Sequence, residues 1–387
     1  MKIINKGKRW IRRKALWGVT FFWGMIHPVE PKKVCFISDV RAELGGNLKC
    51  AYDYLEGKGY DRVLELKMDR RVKRTMKEKF RMAYNLVTSK YILMEDVTDA
   101  ITYTKFRKSQ ELVQLWHGPG AFKKFGHSRK ANGEEMGKIH GGYKKYTKAS
   151  VSGEGIRWCY AEAFGISEDL IKATGFPRTD MFFDEKYLLS IKEKFYQAYP
   201  ELKEKKMILF APTYRGSDIH KATYDFSQLD WDAIYEKYKD EYVFVVKWHP
   251  ALYNNLDMGK VDGPDFSKYN GFYRDFSFYR DINELLVVCD TLVTDYSSLI
   301  FDYVLLNKPI VYFAYDLEEY SGYGGRGMYF EFDEYVYGSV AQNQDEFIQA
   351  LDNKDLMAEK RKVFYDKFMG ECDGHSTEKT CKWIFGE

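Results

Sequence analysis

At 387 residues the chain is longer than one typical core supports and fits two domains. A hydrophobic content of 45% with a mean hydropathy of −0.49 describes a soluble body with a real core and excludes a disordered chain. Net charge is only +3, yet Lys and Arg crowd the first 150 positions while Asp and Glu gather after about 315, which suggests a face turned toward something anionic. The six cysteines form no C-x-x-C pair and do not cluster with histidine, so reduced, cytosolic thiols are expected and no metal site is. A nucleic-acid partner is not expected either.

The first predicted element is a basic, tryptophan-rich segment. Lys2, Lys6, Lys8, Arg9, Arg12, Arg13 and Lys14 lead into ALWGVTFFWGMI, Ala15 to Ile26, with Trp10, Trp17 and Trp23 interspersed. This apolar run is shorter than the roughly 20 residues that span a bilayer, and no A-x-A-like cleavage site follows it. A helix lying in the interface of an anionic cytoplasmic leaflet fits the pattern, with a helix packed on its own domain as the alternative.

From Pro31 short strands alternate with helices. The strand KVCFIS, Lys33 to Ser38, precedes a glycine turn that opens a helix at about Asn47. A strand over Arg62 to Leu66, a very basic helix over Arg70 to Arg81 and a strand over Tyr91 to Met94 follow. Such alternation predicts a doubly wound parallel sheet, in which ligands collect at the carboxyl ends of the strands. In LVQLWHGPGAFKKFG, Val113 to Trp116 read as a strand and His117 stands at its carboxyl end, before glycines and a proline that continue neither strand nor helix. An imidazole there could take a proton from an attacking hydroxyl, or could be a turn residue without chemistry. Lys123 and Lys124 beyond it are candidates for contact with anionic head groups.

After a helix around Ile156 to Ala163 and the turn-rich ATGFPRTDMFF, the helix Tyr187 to Ala198 reads as a linker. A second alternating series begins with KKMILFAPTYRG, a buried strand ending at Pro212 with Arg215 just beyond. YVFVVK, Tyr242 to Lys247, again places a histidine, His249, at a strand end, with Lys247 beside it. Two such sheets predict a cleft with paired imidazoles and fixed positive charge from Arg215 and Lys247. In DINELLVVCDTLVTDYSSLIFDYVLLNKPIVYFAYDLEEY, the strand Thr291 to Thr294 runs directly into a helix. Asp295, Ser297 and Ser298 at that junction either seat a phosphate or cap the helix.

The blocks QLWHGPGAFKKFG, FPRTD, ILFAPTYRG, VVKWHP, the TDYSS region, RGMYFEF and EFIQAL, in this order, resemble the CDP-glycerol glycerophosphotransferases of teichoic-acid synthesis. The resemblance covers most of the chain from Lys33 to Leu351. It implies an α/β, GT-B-like fold of two Rossmann-like doubly wound domains facing a central cleft. The expected division is a membrane-interface segment over 1–30, an acceptor-side domain over 31–185, a CDP-donor domain over 186–365 and a C-terminal helix over 366–387. The implied donor is CDP-glycerol, with CDP-ribitol the alternative, and the implied acceptor is a lipid-linked saccharide on the cytoplasmic face of the membrane, reached peripherally and without a cofactor.

On that reading His117 is the base. Arg215, Lys247 and His249 stabilise developing charge, and Thr213, Thr294, Asp295, Ser297 and Ser298 hold the diphosphate. Asp302 anchors a ribose or orients a neighbour, Lys123, Lys124, Trp10, Trp17 and Trp23 serve the acceptor or membrane side, and no metal takes part. A nucleotide-sugar glycosyltransferase and a non-catalytic scaffold of the synthesis complex are the rival readings.

Overall fold

The computed structural model describes residues 17–67, 72–131, 134–135, 141–216, 219–322, 327–353 and 355–386. Two units emerge: Met1–Ala121 with Phe125–Asp180 and Phe368–Glu387, and Phe122–Lys124 with Met181–Lys367.

In the first unit the strands are β1 Glu30–Ser38, β2 Asp61–Leu66, β3 Ser89–Met94, β4 Glu111–Gln114, a small antiparallel pair β5 Lys130–Ala131 and β6 Glu134–Glu135, then β7 Lys148–Val151 and β8 Ile171–Ala173. All but the small pair form one parallel sheet in the order β2-β1-β3-β4-β7-β8. The last six residues of β1 are buried without alternation, as expected of a strand covered on both faces. Phe36 lies opposite Leu64 and Leu93 in register. Its core neighbours include Leu48, Val113 and, from the C-terminal helix Ser376–Phe385, Cys381 and Ile384. Asp180 of the FPRTD turn fixes that helix by accepting from the Ser376 and Thr377 amides at 2.8 Å each. The chain reverses its direction of sheet building between β1 and β3, which makes their carboxyl ends the ligand-prone switch point.

Two local expectations change. The basic helix, expected over Arg70 to Arg81, runs over Met76–Thr88, because Thr75 and Glu78 close a reciprocal capping box that sets its start; Arg70 and Arg71 lie outside the described residues. The strand before His117 ends at Gln114, and Trp116 has a φ of 55°.

The second unit has β9 Lys206–Phe210, β10 Tyr242–Val246, β11 Tyr273–Asp275, β12 Thr291–Thr294, β13 Ile310–Phe313 and β14 Ser339–Ala341. They form a parallel sheet in the order β11-β10-β9-β12-β13-β14. This is the strand order of a Rossmann fold, with its switch point between β9 and β12. Phe210, Phe244, Trp248, Val293 and Phe313 fill its core.

Lys123 and Lys124 belong to this second unit, not to the first as expected. The Lys124 amide donates to the Gly327 carbonyl at 2.9 Å, Tyr329 N–H donates to Phe122 O at 3.1 Å, and the Phe122 ring stacks on Tyr335 at 4.2 Å. Backbone pairing, invisible in local sequence, overrode proximity along the chain.

All six cysteines are unbridged. Among the described residues no helix is long and apolar enough to cross a membrane, and no group of three or more His, Cys, Asp and Glu side chains is arranged to hold a metal.

Candidate active site

In the first unit the carboxyl ends of β1, β3 and β4 carry Ser38–Asp39, Glu95–Asp96 and His117. Asp96 is buried and accepts from the Ser38 hydroxyl and, at 3.4 Å, from the Asp39 amide. Glu95 is buried too, and its carboxylate is held by Arg41. Burial raises the pKa of this carboxyl against the pull of Arg41.

The Glu95 main-chain carbonyl is 3.0 Å from His117 Nδ1. A carbonyl can only accept, so Nδ1 carries the proton and Nε2 keeps its lone pair. The ring reaches solvent, yet the protein mass around it removes enough water to push its pKa below the ordinary value, against the opposite effect of the carbonyl. His117 is thus set as a proton acceptor at neutral pH. Glu95 was missed from sequence because its role runs through a backbone oxygen.

In the second unit the switch point between β9 and β12 is closed by Asp295, a wholly buried carboxylate. One oxygen accepts from the Thr213 amide at 2.8 Å, the Thr213 hydroxyl at 2.9 Å and the Tyr296 amide at 2.7 Å; the other meets Arg215 Nη1 at 2.9 Å. Arg215 Nη2 reaches Asp316 after β13 at 2.9 Å, and Nε pairs with the same carboxylate. The rings of Tyr224, Tyr296, Tyr315 and Tyr320 stand 5.1 to 5.5 Å from the guanidinium. Burial alone would lower the guanidinium's pKa, but Asp295 and then Asp316 outweigh it and hold it above its usual value.

This geometry revises several expected roles. Asp295 and Arg215 tie three strand ends together, and Thr213 belongs to the same tie, so the Arg215 charge is already paired within the unit. The Thr294 hydroxyl is buried and donates to the Ala211 carbonyl at 2.7 Å. Lys247 Nζ donates to the carbonyls of Ser277 at 2.8 Å and Tyr279 at 2.6 Å, so it holds the loop after β11. Asp302 is buried within the helix Leu299–Tyr303.

The anion-binding candidates left are Ser297, Ser298 and His249. Ser297 Oγ accepts from the Leu299 amide at 3.3 Å, the capping role weighed from sequence. Ser298 is exposed and its hydroxyl makes no capping bond. Among the described residues the Ser297 and Ser298 amides have no hydrogen-bond acceptor, so two N–H groups and one hydroxyl remain for an anion. His249 starts the helix Pro250–Asp257, and its Nδ1 accepts from the Ala251 amide at 3.1 Å. Its proton therefore sits on Nε2, and the exposed ring, packed 4.8 Å from Tyr214, is a donor. The two histidines carry opposite tautomers, one fit to take a proton and one to give a hydrogen bond.

On the membrane side, Trp10 lies outside the described residues. Trp17, Phe21, Phe22, Met25 and Ile26 line the exposed side of the helix over 17–26. Trp23 departs from the expectation: it packs edge-on against Tyr84 at 6.0 Å and beside His27 at 5.0 Å, within the first unit.

Two Rossmann-like domains, each presenting a histidine beyond the carboxyl end of a sheet strand, form the architecture of nucleotide-binding enzymes. The comparisons make this specific: the chain belongs to the CDP-glycerol:poly(glycerophosphate) glycerophosphotransferase family, which it matches over residues 19–386. It is similar to a teichoic acid poly(ribitol-phosphate) polymerase of Bacillus spizizenii, at 40% identity over 92% of this chain and 56% of that protein. It is also similar to a teichoic acid ribitol-phosphate polymerase of Staphylococcus aureus, at 37% identity over 96% of this chain and 71% of the relative. The chain thus spans little more than half the length of the first of these. The solved wall teichoic acid polymerase TagF shares the fold at a TM-score of 0.74 and 22% identity, over 99% of this chain and 98% of that one.

Proposed function

We propose that this chain transfers a polyol phosphate from a CDP-linked donor to a hydroxyl of a lipid-linked acceptor, releasing CMP, in teichoic-acid synthesis at the cytoplasmic face of the membrane. The observation that carries the reading is the 3.0 Å contact of His117 Nδ1 with the Glu95 main-chain carbonyl, which leaves the Nε2 lone pair of this exposed ring for a proton. His117 takes the proton of the acceptor hydroxyl as its oxygen bonds to the β-phosphorus. The bond from that phosphorus to the bridging oxygen breaks, and CMP leaves with the electron pair. His249 Nε2–H and the Ser297 and Ser298 groups stabilise the phosphate oxygens. Arg215 and Lys247 act by holding the loops.

Ribitol phosphate is the favoured cargo, in place of the glycerol phosphate expected from sequence, because the two relatives above are named for ribitol. Glycerol phosphate is the second reading, favoured by the name of the matched family. Ser298→Ala tests the seat. A hydroxyl bonded to a charged phosphate contributes about 1.5–3 kcal/mol, so donor affinity should fall about tenfold or more with Tm unmoved. A collapse of Tm with normal CDP affinity would return Ser298 to a structural role.

Membrane attachment is supported by the exposed face of the helix over 17–26, preceded in sequence by seven Lys and Arg residues between Lys2 and Lys14. Phe22 and Met25 are 55% and 62% exposed. Replacing both with Ser should weaken binding to anionic vesicles by at least about tenfold, since each large apolar side chain contributes roughly 1.5–3 kcal/mol when buried. Turnover on a short soluble acceptor should persist. Trp23→Ala should instead lower Tm. Unchanged vesicle binding in the Phe22/Met25 variant would remove the attachment proposal.

A further inference from the structure

Asn47 is wholly buried and fully hydrogen-bonded. Its Nδ2 donates to the carbonyls of Trp116 at 2.9 Å and Leu115 at 3.2 Å, its Oδ1 accepts from the Arg178 amide at 2.9 Å, and its own N–H donates to Glu95 Oε2 at 3.0 Å. Two of these partners bracket His117. Trp116 immediately precedes it, and Glu95 supplies the carbonyl that fixes its Nδ1.

Trp116 occupies the left-handed region at φ 55°, which is costly for a bulky aromatic residue and persists only where the surroundings over-determine it. Its ring stacks on Phe125 at 4.7 Å, its N–H donates to the Gln114 side chain at 2.8 Å, and the Asn47 carboxamide holds its carbonyl. The approach of Asn47 is itself built. Gly46 has φ +57°, which strains any other residue, and a Cβ there would come within 2.8 Å of Arg41 Nη2 and of Glu95 Oε2, whose side chains would have to shift.

We infer that Asn47 is a positioning residue of the His117 base: its carboxamide holds the Trp116 carbonyl, and through that peptide the imidazole, in the orientation that presents Nε2. The inference rests on the proposed role of His117. The strand ends it joins lie far apart in sequence, 48 residues from Asn47 to Glu95 and 69 to Trp116, so no local motif carries it.

The test is a double-mutant cycle of Asn47→Ala with His117→Ala in the full chain, with Tm recorded for each variant. A misplacement of about 1 Å costs on the order of 100-fold, so N47A should lose about that factor in kcat, with KM for the CDP donor changed by less than about threefold. The double variant should be no slower than H117A alone, because a base that is absent cannot be misplaced. Asn47→Ser, whose hydroxyl can still donate to one carbonyl, should recover part of the rate, and it takes the place of N47A in the cycle should that variant not fold. Near-normal turnover of N47A beside an inactive H117A overturns the inference, as does a double variant whose loss is the product of the single ones. Near-normal turnover of H117A itself overturns the base assignment and this inference with it.

Discussion

Replacing His117 with Ala should reduce kcat by roughly 10²- to 10⁴-fold, the range that a general base supplies, while the protein stays folded. The side chain is exposed, and its Nδ1 bonds a main-chain carbonyl that water can satisfy in its absence. The pH dependence gives a second reading of the same group. Loss of surrounding water lowers the His117 pKa, so the neutral, competent form persists further into acid than for a free imidazole with a pKa of about 6.5. The acid limb of kcat/KM should accordingly lie below that value in the wild type and vanish in His117→Ala. An acid limb at or above the free-imidazole value would show that a different group is the base.

Replacing Arg215 with Ala should chiefly destabilise the second unit. The side chains of Arg215, Asp295 and Asp316 are 15%, 1% and 13% exposed, and the guanidinium joins both carboxylates. Removing one member of a buried ion pair leaves uncompensated charge and typically costs about 3–5 kcal/mol. At roughly 2–4 °C per kcal/mol for a domain of this size, a fall in Tm of about 10 °C is expected by calorimetry. Arg215→Lys should recover only part, since an ammonium cannot make the two-point contact with Asp316. If Arg215→Ala kept its Tm and lost only turnover, the guanidinium would instead be the free phosphate cation that its place after a strand suggests.

That contrast marks where sequence ceases to determine the site. The apolar runs Val113 to Trp116 and YVFVVK announce buried strands, and the residues that follow such a run lie near its carboxyl end, so His117 and His249 were legible as exposed strand-end groups. Whether a cation there is free depends on which acids the topology brings beside it. Asp295 is 80 residues from Arg215 and Asp316 is 101, and neither pairing has a local signature. The same holds for Lys247, whose ammonium group is engaged by carbonyls 30 and 32 residues away. Thr75 and Glu78 were readable as a capping box, but the preceding run of Arg and Lys gave a helical pattern that masked the true start.

The most direct test of polyol-phosphate transfer is mass spectrometry of a lipid-linked disaccharide acceptor incubated with the protein and either CDP-ribitol or CDP-glycerol. The expected result is an acceptor heavier by one or more ribitol phosphate units, with one CMP released per unit and a slower or absent reaction with CDP-glycerol. Preference for CDP-glycerol would reverse the choice of cargo alone. An acceptor unchanged by both donors, or extended only by a nucleotide sugar, would contradict the proposed chemistry and favour the scaffold or the glycosyltransferase.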